Sequence, residues 1–169
     1  MVIWLIGMSG AGKTVIGQEV YKLLKQRKKN SVFLDGDTFR TIMGDDLGHT
    51  LADRKRNAER FCRMCKFLDR QEIDVVCSIL SIFPESLEWN RKNYSEYFEV
   101  FVNVSFDELV RRDSKGLYKK ALNGEIKNVV GVDIKFTPPQ NPNIIIDNEG
   151  TTPVTIIAQN IVNSIKLKN

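Results

Sequence analysis

Residues 2–14 read VIWLIGMSGAGKT: five apolar residues, a glycine-rich turn, then a lysine followed by a threonine. VIWLI is apolar without alternation, the pattern of a parallel strand covered on both faces. Gly7, Gly12, Lys13 and Thr14 match G-x-x-x-x-G-K-[ST], directly after a strand and opening a helix. Each residue type has a physical task there. The glycines let backbone N–H groups turn inward on phosphate oxygens, and the helix N-terminus adds positive potential. Lys13 reaches the outer phosphates of a nucleoside triphosphate, and the Thr14 hydroxyl helps to hold Mg²⁺. Gly7, Ser9, Gly10, Ala11, Gly12, Lys13 and Thr14 are thus the expected ATP-binding residues, with Lys13 also catalytic.

Working outward, Ile16, Val20, Leu23 and Leu24 fall at helical spacing and lead into the basic end QRKKN, which suits a helix C-terminus. SVFLD (31–35) and IDVVCSIL (73–80) read as further strands, YFEVFVNV (97–104) as a fourth and NIIID (143–147) as a fifth. Between the second and third, Ala58, Phe61, Cys62, Cys65 and Leu68 form the inward stripe of a helix over 51–71. In the last helix Thr152 is placed to cap, Pro153 suits the first position, and Val154, Ile157, Ala158, Ile161, Val162 and Ile165 share one apolar face. Strands alternating with helices predict a three-layer α/β kinase fold of the P-loop type with a mostly parallel five-stranded sheet. Residues 1–169 are read as one domain.

The composition fits a globular chain of this size, with 42% hydrophobic and 27% charged residues, and no apolar run exceeds strand length. No secretory signal follows Met1, and three cysteines cannot all pair, so a cytoplasmic setting is expected. Cys62 and Cys65 form C-x-x-C, but on an apolar helix stripe, with Cys77 in a strand; core packing is the reading. The net charge of +4 fits a nucleic-acid surface or a pocket for phosphorylated small molecules.

A phosphate loop does not name the acceptor. LDGDTFR puts Asp35 and Asp37 at the carboxyl end of a parallel strand, where open α/β sheets place their ligands. A carboxylate there takes a proton from an attacking hydroxyl or supports the metal; alternatively, both aspartates simply cap the next helix. Arg54 and Asn57, three apart at a helix start, share a face, and arginine pairs bidentately with phosphate.

GMSGAGKT, LDGDTFR, DLGH..ADR..N and RDSKGLYKKALNGEIKNVVGVD together resemble the adenylylsulfate (APS) kinases, over nearly the whole chain and in order. That resemblance implies transfer of a phosphoryl group from ATP to a ribose 3′-hydroxyl with Mg²⁺. It implies Asp37 as base and Asp35 as support of the metal through water. Arg40, Arg54 and Asn57 become acceptor-binding groups, Lys127 the lysine of a basic lid over about 112–135, and Arg112 the arginine near the ATP purine. A small-molecule nucleotide partner follows, with a possible homodimer and without nucleic acid or membrane.

The same motifs depart from the family at the acceptor. Relatives sandwich the acceptor's adenine between two phenylalanines, at positions held here by His49 and Val129; Phe83 replaces the serine of their ISP motif, and Arg56 and Glu59 exchange expected charges. Lost stacking disfavours a purine. SIFPES.EWNR with GEIKNVVGVD resembles a branch of the family that includes cytidine diphosphoramidate kinases, which act on a cytidine nucleotide in capsule phosphoramidate synthesis. A cytidine acceptor is therefore the expectation, APS the alternative, and a non-catalytic nucleotide- or RNA-binding module the remoter one. An exposed nucleic-acid patch around Tyr118 lacks interleaved aromatics.

Overall fold

The computed structural model describes residues 1–27 and 30–166, so Lys28 and Lys29 of the basic helix end lie outside the described residues. In chain order the elements are β1 (Val2–Ile6), α1 (Lys13–Lys25), β2 (Ser31–Asp35), α2 (Gly36–Ile42), α3 (Leu51–Asp69), β3 (Asp74–Ile79) and α4 (Pro84–Asn93). These are followed by β4 (Tyr97–Asn103), α5 (Phe106–Arg111), α6 (Leu117–Leu122), β5 (Ile144–Asp147) and α7 (Val154–Lys166).

The sheet has five strands in the order β2-β3-β1-β4-β5, and every neighbouring pair is parallel. β1 is central and buried along its whole length. Its alternating side chains feed two cores, as a strand period of two requires. Ile3 and Leu5 pack with Ile16 and Val20 of α1 and Ile157, Ala158 and Ile161 of α7. Val2, Trp4 and Ile6 pack on the other face with Phe61, Cys62 and Cys65 of α3. Truncating such a residue, for example Leu5→Ala, costs about 2–5 kcal/mol in lost transfer energy and cavity. Cys62, Cys65 and Cys77 are all free and buried in the second core, as packing residues.

Chain connections leave β1 toward β2 and β3 on one side and toward β4 and β5 on the other. That switch point opens a crevice at the carboxyl ends of the strands, and the phosphate loop lies in it.

The fifth strand is found where expected, and as an edge strand its residues alternate between half-buried and exposed, with Ile145 56% exposed. One expectation changes in detail. Helix α7 begins at Val154, and the Pro153 carbonyl accepts the N–H of Ile157, so Pro153 takes the cap position expected of Thr152. Within the lid segment only α6 is helical, and the chain from 123 to 143 is irregular apart from a bridge between Val130 and Ile134. No helix among the described residues is long and apolar enough to cross a membrane.

Candidate active site

The phosphate loop is shaped by close approach. A Cβ on Gly7 would lie 2.6 Å from the Val102 carbonyl oxygen, so only glycine lets the loop leave β1 so tightly against β4. Gly12 has φ 87, in the left-handed region that favours glycine, and α1 starts immediately after it. The Lys13 ammonium donates to the Met8 carbonyl at 2.8 Å, inside the loop it is expected to serve. Burial pulls the Lys13 pKa down to about 8, against the opposing pull of Asp35 and then Asp37. Ser78 of β3 anchors the start of α1 by donating its hydroxyl to the Lys13 carbonyl at 2.9 Å.

The expected acidic pair lies beside that lysine. Asp35 does two things at once. Its Oδ1 accepts the backbone N–H groups of Asp37, at 3.0 Å, and Thr38, capping α2, while its Oδ2 accepts the Thr14 hydroxyl at 2.7 Å. The capping alternative is therefore realised for Asp35 without removing it from the phosphate loop. Because Thr14 spends its proton on Asp35, its oxygen lone pairs remain available to a cation. A hydroxyl and a carboxylate so joined are hard oxygen donors of the kind Mg²⁺ takes, supplemented by water and phosphate. Asp37 is exposed in the first turn of α2.

Across the crevice Arg40 and Arg54 are oriented by carbonyl oxygens rather than carboxylates. Arg40 donates to the carbonyls of Leu47 and Gly48, both at 3.1 Å; Arg54 donates to the carbonyl of His49 at 2.9 Å and to that of Asn128 at 2.8 Å. Among the described residues neither guanidinium has a carboxylate in salt-bridge contact, although the Asp133 charge offsets part of that of Arg54. Burial and then the Arg40 charge lower the pKa of Arg54. Burial, then Arg54, then Arg40, lowers that of His49, whose side chain is exposed on the loop. Asn57, one helical turn beyond Arg54, is buried. Phe83 is half-buried where β3 meets α4.

Arg54 thereby joins the loop carrying His49 to the lid, 74 residues away in sequence at Asn128. Asn128 sits at φ 65, a left-handed conformation that asparagine tolerates. Asp133 locks this lid turn by accepting the N–H groups of Asn128 and Val129, the latter at 2.6 Å. Those bonds, the Asn128 contact first among them after Val129, hold the Asp133 carboxyl below its usual pKa. Lys127 is exposed on the lid. Val129, expected to line the acceptor's base, is only 4% exposed and belongs to the first core.

Two groups that sequence reasoning did not place at the loop brace it. Asn148, just beyond β5, donates from Nδ2 to the Ala11 carbonyl at 3.0 Å, and its own carbonyl accepts Arg112 at 2.8 Å. Arg112, expected near the purine, is held from its other side by Glu108 at 2.6 Å. Tyr118 is 1% exposed, with its hydroxyl donating to the Ser9 carbonyl at 2.8 Å, so it is a strut under the loop and no part of an exposed patch. Asp113 caps α6 by accepting the N–H groups of Leu117 and Tyr118, which sets that strut.

Fold and loop define a phosphotransferase of the P-loop class. The profile of the adenylylsulphate kinase family matches residues 1–147, and the chain belongs to that family. It is 43% identical over 150 residues to the cytidine diphosphoramidate kinase of Campylobacter jejuni, covering 87% of this chain and 85% of that one. It is 37% identical over 152 residues to the adenylyl-sulfate kinase of Halothermothrix orenii, covering 90% and 82%. Among solved structures, the Mycobacterium tuberculosis APS kinase CysC in complex with AMPPNP and APS superposes with a TM-score of 0.88 at 29% identity, covering 98% of this chain and 96% of that one. As a family member the chain is a nucleotide 3′-kinase, a phosphotransferase acting on a hydroxyl group.

Proposed function

We propose that this kinase transfers the γ-phosphoryl group of ATP to the 3′-hydroxyl of a cytidine nucleotide, cytidine diphosphoramidate, in a Mg²⁺-dependent reaction. The observation that carries the acceptor side is the pair Arg40 and Arg54, two guanidinium groups held on carbonyl oxygens with their charge left for an anion. A short anionic tail on a nucleoside phosphate matches such a pair. For the base, His49 and Val129 stand where adenine-binding relatives carry two aromatic rings, and the 43% identity to a cytidine diphosphoramidate kinase points the same way.

Phosphoryl transfer requires alignment and charge neutralisation more than covalent help from the protein. Backbone N–H groups of residues 9–14 and the Lys13 ammonium take the triphosphate. Arg112 serves its base side. Asp37 accepts the proton of the attacking 3′-hydroxyl, while Asp35 keeps the Thr14 hydroxyl oriented by accepting its proton. Thr14 directly and Asp35 through water would hold Mg²⁺, which would supply positive charge to the phosphate groups. Lys127 brings a further cation when the lid covers the site, and covering excludes water that would otherwise hydrolyse ATP.

Release of ADP from ATP and Mg²⁺, with cytidine diphosphoramidate and APS offered separately, tests the reading. Acceptor-dependent ADP release is expected, and its absence with every nucleotide acceptor would contradict a kinase role. APS remains the second reading because the adenylyl-sulfate kinase relative matches over most of the chain.

A further inference from the structure

Arg40 and Arg54 come from different helices, α2 and α3, yet one short loop aims both guanidinium groups. Its carbonyls do so in chain order: those of Leu47 and Gly48 accept Arg40, and that of His49 accepts Arg54. Three consecutive peptide units therefore set the separation and direction of the two cations. Of residues 44–50, every one except Leu47 is exposed, so burial does little to hold that arc of carbonyls in place.

The loop is held by polar bonds instead. At its start Gly44 and Asp45 turn the chain in left-handed conformations, φ 85 and φ 50, and their N–H groups bond back to the carbonyls of Thr41 and Arg40, both at 3.0 Å. At its end Thr50 caps α3: the hydroxyl accepts the Asp53 N–H at 3.2 Å and donates to the Asp53 carboxylate at 2.7 Å. Between these ends, next to the first of the three carbonyls, Asp46 reaches across to the body of α3. Its Oδ1 accepts Arg60 Nη1 at 2.7 Å and its Oδ2 accepts Arg60 Nη2 at 2.8 Å. Such a fork fixes direction as well as distance, which a single bond does not. The Arg60 hydrogen bonds hold the Asp46 carboxyl below its usual range, so the pair stays charged near neutral pH. Arg54, Asn57 and Arg60 climb α3 in steps of three residues, so the helix that carries one acceptor arginine also grips the loop that aims both.

We propose that Asp46 and Arg60 are a positioning pair for acceptor recognition: their ion pair holds the carbonyls of residues 47–49, and through them Arg40 and Arg54, in the arrangement that receives the acceptor's anionic tail. The inference rests on the acceptor-binding role proposed for Arg40 and Arg54, and deepens it by naming what sets their geometry. The pair acts through the loop. Asp46 is 48% exposed and Arg60 39%, and an ion pair so open to water contributes little to global stability. Its loss is felt where the loop has no other hold.

The test is steady-state kinetics of Asp46→Ala, Arg60→Ala, Arg60→Lys and the double alanine variant, alongside thermal unfolding. ATP, Mg²⁺ and whichever of cytidine diphosphoramidate and APS the wild-type protein turns over faster are the substrates. Each single alanine variant is expected to raise the acceptor KM about three- to tenfold, with the KM for ATP and the melting temperature unchanged. Lysine, which lacks the fork, should fall between wild type and alanine. The double variant should be no worse than the worse single one, since either change already breaks the pair. An unchanged acceptor KM in both single variants overturns the proposal. So does an equal rise in both KM values, the mark of a general structural brace, or additive rises in the double variant, which would mean that the two residues act separately. Absence of turnover by wild-type protein with either acceptor would instead strike the kinase reading on which the inference stands.

Discussion

Thr14 donates its hydroxyl proton to Asp35 across 2.7 Å, joining the last residue of the phosphate-loop motif to the end of β2. The bond lets one carboxylate orient the Thr14 hydroxyl, the proposed metal ligand, while its other oxygen caps α2. Asp35→Asn keeps the shape and weakens the acceptor for that proton. The concentration of Mg²⁺ giving half-maximal rate should rise about 10- to 100-fold, as for other residues that support a metal ligand. Titration of initial rates with Mg²⁺ reads this directly, and an unchanged midpoint would remove Asp35 from the metal's support.

Asp37→Asn separates binding from chemistry. ATP affinity should stay nearly constant while kcat falls about 10²–10⁴-fold, the usual contribution of a positioned general base. Binding measured with a non-hydrolysable ATP analogue, together with kcat under saturating acceptor, distinguishes the two effects. Unaltered kcat would leave another group as base.

Lys13 carries a pH signature. Its pKa is lowered to about 8 in the free protein by burial, and the negative charge of bound triphosphate must raise it again. The protonated form binds better, so the gain is fully present below the free value of about 8 and declines above it, toward the raised value of the bound state. Calorimetry in buffers of different ionisation enthalpy at pH 8.5 should record net proton uptake on nucleotide binding. Proton release, or an affinity that is flat from pH 7 to 9.5, would contradict this.

Asn148 ties the Ala11 carbonyl to the strand end that holds Arg112. Asn148→Ala removes that tie and should raise the KM for ATP about two- to tenfold, the worth of one net hydrogen bond, while leaving the acceptor KM alone. A change confined to the acceptor would place Asn148 elsewhere in the mechanism.

What the chain spells locally and what it builds only on folding divide along sequence separation. VIWLI, GMSGAGKT and the stripe through Phe61, Cys62 and Cys65 are periodic or contiguous signals, so strand, loop and helix are readable, as is the placement of Lys13, Thr14 and Asp35 in one crevice. The Asn148 bond to Ala11 spans 137 residues and the Tyr118 bond to Ser9 spans 109; nothing near either residue announces its partner. Val129 shows the same limit from the other side. Its motif position pointed at the base, but burial depends on how the whole lid packs, and that placed it in the core. NIIID announces a strand, but only its edge position in the folded sheet explains why Ile145 is exposed.

The measurement that bears most directly on the acceptor is the ratio of kcat/KM for cytidine diphosphoramidate to kcat/KM for APS, taken with ATP and Mg²⁺ under identical conditions. On the proposed reading the arginine pair takes either anionic tail, so the ratio reports chiefly on the base. With His49 and Val129 at the positions of the adenine-stacking rings, the ratio should exceed one by at least about tenfold, the equivalent of 1.4 kcal/mol in transition-state binding. A ratio below one would contradict the cytidine assignment and return the protein to the APS kinases proper.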